Sequence, residues 1–269
     1  MPTIRVRDLD VYYEIHGRGP RVLFISGTGA ALRRDKSGLH SPLTEHFEVL
    51  LFDQRGLGDT SKPDVPYTMA DYADDAAALL DALGWQRCHV VGVSFGGMVA
   101  QNLVVRHPDR VDRLVLACTS PGGEGGSSYD LRRLEGLSPE ERARRSLTLV
   151  DDRVDLGTDP PTLPPGLAPI LESLASYSLA PDDPVAAMGA RRQLEARAGH
   201  DVWDDLPRVG SPTLIIGGRH DGIAPPENLA RMASRIPGAR LVLCDGGHVF
   251  LMQDPSAWPT IIDFLRDAR

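Results

Sequence analysis

The stretch that decides the fold is HVVGVSFGGMVAQNL, residues 89–103. Its first five residues are mostly apolar and β-branched, which predicts a short buried strand. The helical pattern that follows starts at Ser94. A Gly-x-Ser-x-Gly sequence between a strand and a helix forms a tight, strained turn that holds the serine hydroxyl clear of the sheet. Because a free serine is a weak nucleophile at neutral pH, Ser94 needs a base and an acid that orients the base.

The composition argues against several classes of function. The 269 residues carry a formal net charge of -8, which disfavours nucleic acid and anionic membranes as partners. No apolar run approaches the length of a membrane span, and the first residues lack an apolar signal core, so we expect a cytoplasmic protein. The sequence is compatible with a homo-oligomer but does not define the oligomeric state.

The three cysteines, Cys88, Cys118 and Cys244, lie beside or inside apolar strand runs and are predicted to be small core residues. None of them shows the paired spacing of metal ligands. We therefore expect no disulfide, no metal site and no cofactor.

Apolar strand runs alternate with helical patterns along most of the chain. The predicted strands are 3–6, 11–15, 22–25, 48–52, 89–93, 114–117, 213–216 and 241–243, and the predicted core helices are 69–83, 94–106, 227–236 and 255–265. The first two strands should form an antiparallel hairpin. The later strands are apolar throughout, which is typical of strands buried on both faces of a parallel sheet. This alternation predicts a doubly wound α/β sheet.

The alternation breaks once, between Thr119 and about Pro212. The break contains a glycine-rich joint at 122–126 and a proline-rich loop at 159–165, which cannot be helix interior. It also contains helical patterns at 139–150, 167–177 and 184–198. We therefore predict a core domain formed by residues 1–120 and 206–269, and a mobile helical insertion, 121–205, after the sixth strand.

Two later loops supply the partners that Ser94 needs. Asp221 lies just beyond the predicted strand 213–216, at the edge where parallel sheets place their sites. His248 follows the last predicted strand in a Gly-Gly-His loop at the same edge. The chain order is therefore nucleophile, acid, base. His248 would take the Ser94 proton and return it to the leaving group, while Asp221 holds the imidazole in the correct tautomer.

Backbone groups are the expected donors to a developing oxyanion. One is the N–H of Phe95, at the positive end of the helix that Ser94 opens. The other should come from Ser26-Gly27-Thr28-Gly29, the loop after the predicted strand 22–25, and the N–H of Thr28 is favoured.

With these motifs the chain resembles the α/β-hydrolase superfamily over nearly its whole length. Asp53-Gln54-Arg55-Gly56-Leu57-Gly58 is similar to the family's Asp-x-Arg-Gly-x-Gly loop, and the acid loop has its Gly-x-x-Asp-x-x-x-Pro pattern. The enol-lactonase-like and small carboxylesterase-like members are the most similar. The resemblance implies an α/β-hydrolase fold, with a mostly parallel eight-stranded sheet flanked by helices and a helical cap, 121–205, over the site. One departure is Ser26-Gly27, where the family often has His-Gly; this changes the side-chain support of the loop but not its backbone donor.

The sequence predicts a cofactor-independent serine hydrolase that cleaves a small-molecule ester or lactone through an acyl-enzyme. Carbon–carbon bond hydrolysis and cofactor-free perhydrolysis on the same triad are alternatives, because fold and triad do not fix the substrate. Another alternative is a hydrolase-fold ligand-binding protein with little turnover. Residues predicted to contact the substrate are Gly27, Met98, Ile223, Val249 and, for an anionic substrate, Arg191 and Arg192, although the two arginines could instead be solvated.

Several other polar residues are predicted to lie outside the catalytic set. Glu124, after the sixth strand, is a competing acid, but its glycine-rich surroundings favour a solvated loop. His220 should point away from the site, and His89 should be a hydrogen-bonded core histidine. Asp53 and Arg55 are predicted to form a structural ion pair.

Overall fold

This computed structural model describes residues 3–33, 41–170 and 182–267. Its strands are β1 (Thr3–Val6), β2 (Leu9–His16), β3 (Arg21–Ile25), β4 (Glu48–Phe52), β5 (Cys88–Val93), β6 (Val111–Ala117), β7 (Thr213–Gly218) and β8 (Arg240–Cys244). Its described α-helices are α1 (Met69–Ala82), α2 (Phe95–Arg106), α3 (Pro139–Val150), α4 (Pro184–Ala198), α5 (Pro226–Arg235), α6 (Phe250–Gln253) and α7 (Ala257–Arg266).

The eight strands form one sheet in the order β1-β2-β4-β3-β5-β6-β7-β8. The pairs β1–β2 and β2–β4 are antiparallel, and the other neighbouring strands are parallel. The predicted lead-in hairpin and the mostly parallel eight-stranded sheet are therefore confirmed. Central β5 lies between β3 and β6, with Ile25 opposite Gly92 and Val93 opposite Ala117. This register places the loop after β3 directly beside the turn that contains Ser94.

Two apolar clusters fill the faces of the sheet. One includes Tyr72 and Leu79 of α1 and Leu103 of α2, all at most 1% exposed. The other includes Phe47 and Ile261, both fully buried. Because the central strands contribute to both clusters, their uninterrupted apolar sequence is explained by burial on two sides.

Several predicted helix ends differ from the observed ones. The predicted helix 255–265 is preceded by the short α6, and the chain turns at Asp254, whose carboxylate accepts the backbone N–H of Ser256 at 2.8 Å. In the predicted segment 167–177, Ala168–Ile170 forms a 3-10 helix, and residues 171–177 lie outside the described residues. A 3-10 helix at Trp203–Arg208 was not predicted, because Pro207, its next-to-last residue, favours a loop in the sequence.

The predicted insertion, residues 121–205, lies between β6 and β7 and carries α3 and α4. They pack on the loops beyond the carboxyl ends of the core strands. A third apolar cluster joins Leu149, Leu167 and Leu194 of the insertion to Ile223 after β7, with Val249 after β8 packed against it. At the end of α3, the carbonyl of Leu149 accepts the N–H of Gly222 at 3.0 Å. The insertion therefore lies over the sheet edge where Ser94 is found.

Candidate active site

Ser94 occupies a strained turn between β5 and α2. Its backbone has φ 55° and ψ -115°, which for a residue with a side chain costs about 1–3 kcal/mol. The flanking glycines make this turn feasible, because a Cβ on Gly92 would overlap the carbonyl of Gly96, and a Cβ on Gly96 would overlap that of Ile25. The backbone N–H of Ser94 donates to the carbonyl of Ala117 at 2.8 Å, which ties the turn to β6.

The structure brings Ser94, His248 and Asp221 into one chain of hydrogen bonds. His248 Nε2 lies 3.0 Å from Ser94 Oγ, and His248 Nδ1 lies 2.7 Å from Asp221 Oδ2. The other oxygen of Asp221 accepts the N–H groups of Ile223 and Ala224, both at 2.8 Å. A carboxylate that accepts on both oxygens fixes Nδ1 of the imidazole as a donor, which leaves Nε2 free to accept the serine proton.

The loop that carries His248 is held by the insertion. The N–H of His248 donates to the carbonyl of Val150 at 2.6 Å. The His248 side chain is 14% exposed and that of Asp221 is fully buried. The imidazole of His248 is therefore largely shielded from solvent.

The predicted oxyanion donors lie next to Ser94. A Cβ built on Gly27 would lie 3.6 Å from Ser94 Cβ, so the loop after β3 touches the serine. Thr28 is 6% exposed. In the described part of the chain, no acceptor pairs with the backbone N–H of Thr28 or Phe95. The two groups remain available for a negatively charged oxygen.

Two buried glutamines hold this loop, and the sequence reasoning missed both roles. Gln54 Nε2 donates to the carbonyl of Ser26 at 2.9 Å, and Gln193 Oε1 of α4 accepts the N–H of Gly29 at 2.7 Å. Gln54 lies inside the Asp-x-Arg-Gly-x-Gly motif, so its place near the site could have been inferred. Gln193 is 164 residues away from Gly29 and shows no local sequence signal.

The predicted ion pair between Asp53 and Arg55 is wrong. Asp53 accepts the backbone N–H groups of Leu32 and Asp59, at 2.7 and 2.8 Å. Burial raises the pKa of its carboxyl. Arg55 instead forms a two-point pair with buried Asp75 of α1, at 2.6 and 2.9 Å. The side chains of Asp53 and Arg55 therefore have different hydrogen-bond partners, because residues two apart in this loop face different elements.

The cationic pair predicted to contact an anionic substrate, Arg191 and Arg192, lies in α4. The Arg191 side chain is 61% exposed. Arg192 pairs with Asp64 of the core and Glu195 of its own helix, both at 3.0 Å. Arg191 therefore faces solvent, whereas Arg192 is 22% exposed and lies where α4 meets the core.

The apolar residues predicted to contact substrate lie in two places. Ile223 and Val249 pack in the apolar cluster shared with the insertion. Met98, 2% exposed, packs in the core and also lines a cavity of about 210 Å³ with Gly122, Ser127, Arg197 and His200. A second cavity, of about 230 Å³, adjoins Gly29 and Gly56. Neither cavity is lined by Ser94, Asp221 or His248.

The remaining candidates take no part in the hydrogen-bond chain. His220 Nδ1 lies 2.9 Å from exposed Asp152, so its predicted orientation away from Ser94 agrees with the structure. Glu124 is exposed. His89 is half-buried, and its Nδ1 has no partner among the described residues, which corrects the expectation of a hydrogen-bonded core histidine at that atom.

Titratable sulfur and metal-binding groups contribute no further feature to the site. Cys88, Cys118 and Cys244 are free and buried, and burial raises the pKa of Cys88 to about 12. Among the described residues, no group of three His, Cys, Asp or Glu side chains could hold a metal ion. No helix in the described ranges is long and apolar enough to cross a membrane.

The chain belongs to the α/β-hydrolase family, since the model of the alpha/beta hydrolase fold matches residues 20–255. It is 31% identical over 249 residues to the poly(3-hydroxyalkanoate) depolymerase of Ectopseudomonas oleovorans, covering 92% of this chain and 85% of that protein. It is 28% identical over 284 residues to the "Putative carbamate hydrolase RutD" of Pseudomonas savastanoi pv. phaseolicola, covering 95% and 98%.

The fold is also similar to that of the enol-lactonase from Burkholderia xenovorans LB400. The TM-score is 0.79 at 25% identity, and the match covers 99% of this chain and 100% of that one. Together, these similarities confirm the predicted superfamily and fold. The protein is an enzyme of the α/β-hydrolase superfamily.

Proposed function

We propose that this protein hydrolyses a carboxylic ester or lactone of a small molecule through an acyl-enzyme on Ser94. The observation that carries the proposal is the pair of hydrogen bonds from Ser94 to His248, 3.0 Å, and from His248 to Asp221, 2.7 Å. Nucleophile, base and acid each stand on a loop at the carboxyl edge of the sheet, in hydrogen-bond contact.

Acylation would use these groups in sequence. Ser94 Oγ attacks the substrate carbonyl while His248 Nε2 takes the serine proton. The carbonyl oxygen gains negative charge and accepts hydrogen bonds from the N–H groups of Phe95 and Thr28. The tetrahedral intermediate collapses, the bond to the leaving oxygen breaks, and the imidazolium of His248 gives its proton to that oxygen.

Deacylation repeats the same steps with water. His248 takes a proton from water as the water oxygen attacks the acyl carbonyl, and the proton then returns to Ser94 Oγ. Asp221 stays ionised and stabilises the imidazolium that forms in each half-reaction. No metal or organic cofactor is needed in this scheme.

Ester and lactone bonds are the leading candidates for two reasons. The enol-lactonase from Burkholderia xenovorans LB400 shares the fold over the full chain. An alkoxide is also a better leaving group than an amine or a carbanion, so the triad alone is sufficient for esters.

A carbamate is the second candidate, favoured by the similarity to "Putative carbamate hydrolase RutD". A carbamate carbonyl would accept the same attack by Ser94, with an amine or an alcohol leaving. We propose a small molecule as the partner in either case, because the net charge of -8 disfavours nucleic acid and anionic membranes. A cytoplasmic location, a homo-oligomer and a capping role for the insertion remain predictions.

The test compares turnover with active-site labelling. The wild-type protein and Ser94→Ala would be assayed on p-nitrophenyl acetate, a δ-lactone, a phenyl carbamate and a vinylogous 1,5-diketone. A fluorophosphonate probe followed by peptide mass spectrometry would report the labelled residue. The proposal expects ester or lactone turnover and a label on Ser94, both lost in the variant.

Three results would contradict this proposal. Near-normal ester turnover in Ser94→Ala would exclude Ser94 as nucleophile. Faster diketone cleavage than ester cleavage would favour carbon–carbon hydrolysis. Labelling of Ser94 without repeated turnover on any substrate would favour a ligand-binding protein.

A further inference from the structure

The oxyanion loop is flexible by composition and is fixed from outside. Residues 26–29 read Ser-Gly-Thr-Gly, and Gly29 has a positive φ of 69°. Two glycines in four residues give this backbone many accessible conformations. The family's usual histidine is replaced by Ser26. A long local hydrogen bond, 3.4 Å from the N–H of Ala30 to the carbonyl of Gly27, closes the turn, and side chains from other elements supply its shorter bonds.

The two buried glutamines fix the peptide units on either side of the predicted donor. Gln54 holds the Ser26–Gly27 peptide through its carbonyl, at 2.9 Å. Gln193 holds the Thr28–Gly29 peptide through its N–H, at 2.7 Å. The peptide between them carries the N–H of Thr28. With both neighbouring planes fixed, the direction of that N–H is set.

The helix that carries Gln193 is docked closely on the core. Gly189, one turn earlier in α4, packs against Gly56 so tightly that an added Cβ would overlap the Gly56 carbonyl. Arg192 pairs with Asp64 at 3.0 Å. The contacts of Gly189, Arg192 and Gln193 place one face of α4 against two core loops, the loop after β3 and the loop between β4 and α1.

Among the described residues, only one polar atom of the Gln193 side chain, Oε1, has a hydrogen-bond partner. Gln193 is fully buried, its Oε1 is used by Gly29, and its Nε2 has no partner among the described residues. A buried amide donor without a partner costs stability, so an apolar side chain of similar size would suit the fold better. Its presence is explained by the acceptor oxygen that it supplies to the loop.

We propose that Gln193 is a positioning residue for catalysis, through which the insertion sets the direction of the Thr28 N–H. The insertion is then part of the catalytic apparatus as well as a wall of the substrate site. This inference rests on the proposed acyl transfer at Ser94.

The test is a set of three substitutions on α4 and one on the core. Gln193→Met keeps the length of the side chain and removes the acceptor. Gln193→Glu keeps an oxygen that accepts from Gly29 in either protonation state. Glu195→Ala, an exposed residue of the same helix, is the matched control, and Gln54→Met removes the support on the other side. Each would be assayed for kcat and KM on p-nitrophenyl acetate, for the pH–rate profile and for Tm.

Gln193→Met should lower kcat by about 10- to 100-fold, somewhat less than complete loss of an oxyanion donor. KM should stay within about threefold, since the lost interaction acts in the transition state. The acidic limb of the pH–rate profile should not move, because the contact between His248 and Asp221 is untouched. Gln193→Glu should recover most of kcat, and Gln54→Met should behave like Gln193→Met.

The outcomes separate this inference from the proposed function. Wild-type kcat in Gln193→Met, with Ser94→Ala inactive, would overturn the positioning role and leave the serine mechanism intact. An equal loss of kcat in Gln193→Glu and Gln193→Met would also overturn the positioning role. So would a change in the Tm of Gln193→Met without a change in its kcat. If Gln193→Met does not fold, the kcat values of Gln193→Glu and Gln54→Met decide the question alone. Activity in Ser94→Ala would instead refute the underlying mechanism.

Discussion

Replacing Asp221 by asparagine should nearly abolish catalysis, and the structure indicates why. Oδ1 of Asp221 accepts the N–H groups of Ile223 and Ala224, and Oδ2 accepts His248 Nδ1. An asparagine can keep only one oxygen. If the amide NH₂ faced the backbone, two donors would meet two donors, so the oxygen stays there and the NH₂ faces His248.

That orientation forces the imidazole into the wrong tautomer. Nδ1 must then accept from the amide, which moves the ring proton to Nε2, 3.0 Å from Ser94 Oγ. A protonated Nε2 cannot take the serine proton. We expect Asp221→Asn to lower kcat/KM by about 10⁴-fold, which is about 5 kcal/mol of transition-state stabilisation.

The assay is the hydrolysis of p-nitrophenyl acetate, with Tm measured on the same samples. Asp245→Asn, on the exposed side of the His248 loop, is an isosteric control that should keep near-normal activity. Exposed Glu124→Gln should also change little. More than a tenth of wild-type activity in Asp221→Asn, or a large loss in Glu124→Gln, would show that another residue is the acid.

Three further results are expected. Ser94→Gly should raise stability by about 1 kcal/mol in urea unfolding while turnover is lost, because glycine relieves the φ of 55°; a lower midpoint would contradict the strain. Burial lowers the pKa of His200 to about 4, below its unfolded value. The folded state therefore binds the His200 proton less readily than the unfolded state does. The contribution of His200 to the free energy of unfolding, about 3 kcal/mol, is complete above pH 6.5 and declines as pH falls towards 4. His200→Gln should flatten that part of the urea stability profile. Dialysis against EDTA should leave ester turnover unchanged, since the described residues contain no three-ligand metal cluster; a loss restored by zinc would refute this.

Much of the fold could be predicted because its signals are local. The continuous apolar runs of β3, β4 and β5 reflect burial on both faces, and the elbow around Ser94 needs its glycines for reasons visible in five residues. The order of Ser94, Asp221 and His248 then fixed which loops should meet. These inferences require only strand direction and the rule that parallel strands present their carboxyl ends at one edge.

The contacts that could not be predicted connect distant segments. The hydrogen bond of Gln193 to Gly29 depends on how α4 docks, and no periodicity encodes it. The partner of Arg55 is Asp75 of α1 rather than nearby Asp53, because the Asp53 carboxylate accepts two backbone N–H groups instead. The contact of Arg192 with Asp64 also joins distant segments, and the charge pattern of α4 does not show which face of the helix meets the core.

The end of α3 has a consequence for how this enzyme can diversify. The carbonyls of its last residues have no partner within the helix, and Leu149 and Val150 use theirs to accept the N–H groups of Gly222 and His248. These main-chain bonds do not depend on side-chain identity, so the insertion can change its other residues and still hold the loops that carry Asp221 and His248. Helix length is not free in the same way. Deleting one residue from α3 would rotate these carbonyls by about 100° about the helix axis, so grafts from relatives should keep activity only when this end stays in register.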